Sequence, residues 1–174
     1  MKFTRTVIIA GAGAAALASA VFLGLSAPIP ARMPAQFPEI TLTTVKGERL
    51  TPADLRGKVV LVNFWATSCA TCVKEMPKLV ATYRKHRDRG FETIAVAMSY
   101  DPPNYVLHYA EKNALPFKVA LDPLGAAARA FGDVSLTPTT FVIDRRGRIV
   151  KRYLGEPDFA ELDALIEGKL AEAG

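Results

Sequence analysis

The two cysteines of this chain lie in one short motif, Cys69-Ala-Thr-Cys72. The motif directly follows an apolar run at 59–65, and the apolar residues after it recur at helical spacing, so we expect both thiols in the first turn of a helix. The unpaired N–H groups and positive dipole end of a helix N-terminus stabilise a thiolate and lower its pKa. The pattern therefore predicts dithiol–disulfide exchange, in which Cys69 attacks and Cys72 resolves the mixed disulfide.

Other uses of the two thiols are less well supported. A structural disulfide across so short a loop would remove little chain entropy. A zinc site would need a second ligand pair, but His86 and His108 have 21 residues between them instead of three to five. We therefore expect no metal and no other cofactor. A copper(I) site made by the two thiolates remains an alternative.

Hydrophobic patterning predicts alternating strands and helices around this motif. The run at 59–65 is apolar almost throughout, as in a central strand that is buried on both faces. An N-terminal β-hairpin is expected within 39–50, with a turn at Lys46-Gly47. The later predicted elements are helix 70–87, strand 91–98, helix 103–113, strand 117–121, helix 125–131, strands 139–143 and 148–153, and helix 159–170. This order predicts an α/β fold with a central mixed sheet and helices on both faces.

The start of the chain has the pattern of an export segment. Lys2 and Arg5 precede 22 uncharged residues at 6–27, which predicts either a signal peptide or an N-terminal membrane anchor over 1–27. Four prolines in 28–38 predict an extended tether, which leaves 39–174 as the folded domain. The net charge is +5, but the basic residues do not cluster with aromatic residues or form a known nucleic-acid-binding motif. We therefore expect no nucleic-acid binding.

Three segments resemble a known family. The sequence FWATSCATCVKEMP at 64–77 resembles the active-site segment of thioredoxin-like proteins, most closely the exported bacterial thiol–disulfide oxidoreductases of the TlpA, ResA and CcmG type. The sequence LTPTTFVID at 136–144 resembles their cis-proline loop and the strand after it. Residues 102–121 resemble the helix and strand that this branch inserts. The resemblance covers about 37–172 and implies a thioredoxin-like fold.

The resemblance also implies roles for individual residues. Cys69 and Cys72 would form the redox-active disulfide. Pro138 would follow a cis peptide bond and face the cysteines, and the backbone of Thr137 would pair with an extended substrate chain. Trp65 would shield the site and contribute to substrate binding.

Glu75 would tune the thiols and move protons. A carboxylate close to a thiol raises the thiol pKa by like-charge repulsion. The alternative is that Glu75 is a surface residue in the first turn of a helix. Asn63 stands where thioredoxin has a buried acid, and because an amide cannot ionise, proton handling is expected to rest on Glu75. Ser68 also departs from the pattern, since most relatives have Trp there.

By analogy with the family, the chain is expected to reduce disulfides in specific envelope proteins, in cytochrome c or copper-site maturation. Electrons would come from a membrane donor of the DsbD or CcdA type. The expected location is the periplasm or the extracytoplasmic face of the bacterial inner membrane, where residues 6–27 would hold the chain if they form an anchor. The alternatives are an envelope disulfide-forming oxidant and a non-enzymatic copper(I)- or partner-binding module. We interpret the basic stretch at 84–89 as a solvated helix end.

Overall fold

A computed structural model describes residues 34–173. A single seven-stranded sheet runs through these residues, in the order β2-β1-β5-β4-β3-β6-β7. Its strands are β1 Leu42–Thr44, β2 Arg49–Leu50, β3 Val59–Trp65, β4 Phe91–Ala97, β5 Lys118–Leu121, β6 Thr139–Ile143 and β7 Ile149–Leu154. The pairs β3–β4 and β4–β5 are parallel, and the other neighbouring pairs are antiparallel. The mixed sheet and the N-terminal hairpin are therefore confirmed.

In the described residues, five α-helices cover the two faces of the sheet: α1 Pro52–Leu55, α2 Ala70–His86, α3 Pro103–Lys112, α4 Ala126–Ala130 and α5 Phe159–Ala171. Successive side chains of a strand point to opposite faces, and all seven residues of β3 are buried. Val60, Val62 and Phe64 pack in one core cluster, which also holds residues of α1 and α4. The other β3 side chains except Asn63 pack in a second cluster with α2, α3 and α5. Because both faces of β3 are buried, helices must cover both faces of the sheet.

The register of the sheet brings three loops to the end of β3. Trp65 pairs with Ala97 in the parallel strand β4, so the loops after β3 and β4 leave the sheet at the same edge. Phe64 pairs with Thr139 in the antiparallel strand β6, so the loop before β6 arrives at that edge as well. The cysteine motif and the Pro138 loop are therefore neighbours in space.

The folded domain begins earlier than the predicted boundary at residue 39. The Ile149 N–H donates to the Ala35 carbonyl at 3.0 Å, and the Phe37 N–H donates to the Gly147 carbonyl at 2.8 Å. Phe37 is buried, with its ring centroid 5.3 Å from that of Phe131. The last residues of the predicted tether therefore belong to the domain, because an apolar side chain and backbone hydrogen bonds anchor them.

The predicted signal or anchor at 1–27 and the first part of the tether, 28–33, lie outside the described residues. Over the part of the chain that the structure describes, no helix combines the length and the apolar character needed to cross a membrane.

The basic stretch at the end of α2 is only partly a solvated face. Arg84 and Arg87 are exposed, but His86 is fully buried and its Nε2 lies 2.6 Å from Asp163 Oδ1 on α5. Lys85 forms an ion pair with the same aspartate. The interpretation as a purely solvated face is wrong for His86, because α5 packs over this end of α2.

Candidate active site

Cys69 and Cys72 form a disulfide at the N-terminus of α2, with their Cα atoms 5.2 Å apart. Cys69 is the N-cap residue, and its Sγ accepts a hydrogen bond from the Cys72 N–H at 3.2 Å. Cys72 is fully buried, whereas Cys69 is partly exposed. A partner can therefore reach the Cys69 sulfur first, and the free N–H groups of the helix lie beside it.

Glu75 lies one turn after Cys72 and is fully buried. Asn63 Nδ2 donates to Glu75 Oε1 at 2.9 Å and to Thr140 Oγ1 at 3.0 Å. Glu75 Oε2 has no hydrogen-bond partner among residues 34–173. The alternative of a surface glutamate is therefore wrong: the carboxyl group points into the domain.

The burial of Glu75 changes its acidity. Loss of hydration raises the pKa of Glu75 from 4.5 to about 7, while the hydrogen bond from Asn63 acts in the opposite direction. Glu156 raises the pKa slightly further by charge repulsion, and Lys78 lowers it. Glu75 can therefore bind and release a proton near neutral pH, within one helical turn of Cys72.

The peptide bond between Thr137 and Pro138 is cis, the geometry that the resemblance implies. Pro138 is buried and Thr137 is half-buried. Tyr100, in the loop after β4, places its hydroxyl 3.2 Å from Thr137 Oγ1. Tyr100 is 56% exposed and Leu136, just before Thr137, is 61% exposed. The loops after β4 and before β6 therefore each present a large, partly apolar side chain to solvent beside the cysteines.

Trp65 has a different place from the one expected. Its side chain is fully buried in the core cluster that contains Cys72, and its ring centroid is 5.1 Å from that of Tyr109. The expected substrate contact of Trp65 is therefore wrong in this structure. Trp65 is the last residue of β3, and its packing against the cysteines supports the cysteine loop, which is the connection 66–69 between β3 and α2.

Asp101 is a site neighbour that the sequence analysis missed. Its two carboxylate oxygens accept hydrogen bonds from the Thr67 backbone N–H and the Thr67 hydroxyl, both at 2.6 Å. Asp101 lies in the loop after β4 and is 5% exposed. The one available signal was the parallel pairing of β3 with β4, which brings the residues after each strand together.

One group of side chains far from the cysteines has atoms placed for a metal ion. A nitrogen of His86 and carboxylate oxygens of Asp163 and Glu167 lie within 4.8 Å of one another. Lys85 forms ion pairs with both acids, so its ammonium group already offsets part of their negative charge. We assign this cluster to the contact between α2 and α5.

A disulfide at a helix N-terminus, a cis-proline loop beside it and a mixed sheet below define a thioredoxin-like thiol–disulfide oxidoreductase. The redoxin family matches residues 33–166 of the chain. The thiol–disulfide oxidoreductase ResA of Bacillus thuringiensis subsp. konkukian is 32% identical over 130 residues, which cover 75% of this chain and 74% of ResA. ResA of Geobacillus thermodenitrificans is 35% identical over 118 residues, or 68% of this chain and 67% of ResA.

Solved structures agree with this class. A protein of Neisseria meningitidis assigned as a thioredoxin superposes with a TM-score of 0.75 at 37% identity, covering 80% of this chain and 93% of the other. A Chlorobium tepidum protein assigned as the thiol:disulfide interchange protein DsbE gives a TM-score of 0.73 at 27% identity, covering 80% of this chain and 99% of the other. The chain belongs to the redoxin family, as a thiol–disulfide oxidoreductase of the ResA/CcmG type.

Proposed function

We propose that this oxidoreductase works in the reducing direction and reduces disulfides in specific partner proteins of the cell envelope. The burial of Glu75 one turn after Cys72 is the observation that carries the proposal. A strong oxidant owes its high potential to a stabilised thiolate. A buried carboxyl group beside the dithiol opposes the thiolate and favours the disulfide form, which lowers the reduction potential.

The proposed reaction moves two electrons and two protons from the dithiol to the partner. The Cys69 thiolate attacks one sulfur of the partner's disulfide, the partner's S–S bond breaks, and the departing sulfur takes up a proton. Cys72 then loses its proton and attacks Cys69 Sγ, which releases the partner's second thiol and leaves the Cys69–Cys72 disulfide. A dithiol electron donor must reduce this disulfide before the next cycle.

Glu75 is the proposed proton acceptor in the second step. Because its pKa is about 7, it is partly ionised at neutral pH and can take the proton of the buried Cys72 thiol. Asn63 holds the carboxylate oxygen by a hydrogen bond and so supports the charged form that accepts the proton.

The surroundings of Cys69 favour a polypeptide as substrate. The backbone of Thr137, before Pro138, is the proposed pairing site for an extended segment of the partner. Leu136 is exposed beside it, and Leu154, 62% exposed, ends the neighbouring strand β7 opposite Thr139. An apolar side chain next to the partner's cysteine would pack against these leucines.

The partners and the compartment are proposed from the family and the export pattern. The ResA and DsbE relatives are named as thiol–disulfide proteins. Apocytochrome c or copper-site assembly proteins are the proposed substrates, with a membrane donor of the DsbD or CcdA type. The charge pattern of residues 1–27 supports a place in the periplasm or on the extracytoplasmic face of the inner membrane.

Two opposite substrates test the direction. The reduced protein is mixed with a peptide disulfide that contains the Cys-x-x-Cys-His haem-attachment sequence, and the oxidised protein is mixed with reduced, unfolded ribonuclease. We expect rapid reduction of the peptide and little oxidation of the ribonuclease, with Cys69→Ser inactive in both assays. Rapid oxidation of the ribonuclease together with an unreduced peptide would contradict the proposal.

A further inference from the structure

Both carboxylate oxygens of Asp101 accept hydrogen bonds from one residue of the cysteine loop, Thr67. Oδ2 accepts from the Thr67 N–H and Oδ1 accepts from the Thr67 hydroxyl, both at 2.6 Å. The side chain is 5% exposed. Hydrogen bonds to an ionised acceptor are about twice as strong as neutral ones, and burial protects them from competing water. The pair is therefore a strong link between the loops after β3 and β4.

This link lies next to the reacting sulfur. Thr67 is two residues before Cys69, in the short connection between β3 and α2. The connection is also held by the Cys69 N–H, which donates to the Ala66 carbonyl at 3.1 Å. On the other side, the Asp101 N–H donates to the Met98 carbonyl at 2.9 Å, which anchors the aspartate to the end of β4. The cysteine loop is thus tied to β4 through Asp101.

We propose that Asp101 is a positioning residue for the redox pair, acting through Thr67. When the disulfide is reduced, the cysteine loop loses its covalent cross-link, and the contacts of the loop must keep Cys69 Sγ at the N-terminus of α2. There the thiolate is stabilised by the helix N–H groups. The inference rests on dithiol–disulfide exchange at Cys69 and Cys72, and it does not depend on the proposed direction or partners.

The positioning role and a simple charge effect predict opposite results. Removal of Asp101 removes a buried negative charge, which by charge alone would lower the pKa of the Cys69 thiol and speed its reaction. If Asp101 acts by position, its removal lets Cys69 leave the helix N-terminus, which raises the thiol pKa and slows the reaction. Thr67→Val keeps the carboxylate and removes only the hydroxyl bond.

The test measures alkylation of Cys69 by iodoacetamide in the reduced full chain, with the labelled peptide read by mass spectrometry from pH 5 to 10. We expect Asp101→Ala to slow alkylation at pH 7 by about tenfold and to raise the Cys69 pKa by about one unit. Thr67→Val should slow it by about threefold, and Thr67→Ser should behave like the wild type.

Asp122→Ala is the matched control. Asp122 is also 5% exposed and also accepts two hydrogen bonds, from the N–H groups of Ala127 and Ala128 at 3.0 and 2.8 Å, but it holds α4 instead of the cysteine loop. We expect it to lose stability and keep the wild-type alkylation profile. Equal slowing in Asp122→Ala, or unchanged or faster alkylation in Asp101→Ala, would overturn the proposal. If Asp101→Ala does not fold, the contrast between Thr67→Val and Thr67→Ser decides.

Discussion

Asn63 on β3 donates a hydrogen bond of 2.9 Å to the carboxyl group of Glu75 on α2. The bond joins the central strand to the helix that begins at the cysteines. The Asn63 amide cannot ionise, but it holds the Glu75 carboxyl group, which can. The buried acid of this site is therefore on α2 and not on the central strand. This pair connects the core of the fold to the chemistry of the dithiol.

The buried carboxyl of Glu75 should make the stability of the oxidised protein depend on pH. Its pKa rises from 4.5 in the unfolded chain to about 7 in the fold, so the native state binds more protons between these values and stability falls as the pH rises through this window. Relative to Glu75→Gln, the wild type should lose about 3 kcal/mol of unfolding free energy between pH 4 and 8. Denaturant unfolding of both proteins measures this, and parallel pH profiles would contradict it.

Asn63→Ala should raise the pKa of Glu75 above its wild-type value. The hydrogen bond from Asn63 favours the charged carboxylate, and its loss leaves burial, the largest effect, without its main opponent. The carboxyl carbon signal of Glu75 in an NMR titration reports the change. Thr140→Val removes the other partner of the same amide and serves as the control, with a smaller expected shift. A lower pKa in Asn63→Ala would disprove the assignment.

Most of the fold could be predicted because its elements have strong local patterns. The run Val59–Trp65 is apolar on both faces, and the helix after it follows from the spacing of its apolar residues. The site was found through a local motif, Cys69-Ala-Thr-Cys72. These features depend on residues that are close together in the sequence, so local patterns reveal them.

The missed features depend on contacts between distant segments. Asp101 is 34 residues from Thr67, and the two meet only because β3 and β4 run parallel. The burial of His86 within a basic stretch depends on α5, which is 77 residues away at Asp163. Helix α1 was missed because it has only four residues, although its capping box at Thr51 and Asp54 is visible in the sequence.

The contact of His86 with Asp163 should stabilise the fold without affecting the redox site. Asp163→Ala leaves the buried His86 Nε2 without its acceptor, which should cost about 2 kcal/mol at pH 7. Glu167→Ala removes only an exposed ion pair with Lys85 and should cost below about 0.5 kcal/mol. Equal losses in the two variants would contradict the structural role of His86.

The same contact predicts an acid dependence. Burial alone would raise the pKa of Asp163, but the hydrogen bonds from Lys85 and His86 outweigh it and hold the pKa below its usual 3.8. A lowered pKa gives stability that is present above 3.8 and lost as the pH falls through the folded-state value. The difference between the wild type and Asp163→Ala should therefore shrink in strong acid.

The exposed leucine before the cis-proline should contribute to partner binding. Leu136→Ser should lower kcat/KM for the peptide disulfide by about fivefold, because a packed leucine side chain contributes on the order of 1 kcal/mol. The reduction potential should not change. Leu107→Ser, which alters an exposed leucine on α3, is the control and should keep full activity. An unchanged kcat/KM in Leu136→Ser would contradict the proposed docking at this loop.

The reduction potential tests the proposed direction most directly. Equilibration of the full chain with glutathione or dithiothreitol buffers, followed by alkylation of free thiols, gives the potential of the Cys69–Cys72 pair, with Cys69→Ser as the control. Reducing activity aided by the buried Glu75 predicts a potential well below the roughly −180 mV of protein disulfide isomerase. A potential close to about −120 mV, that of a strong oxidant, would contradict the reducing direction.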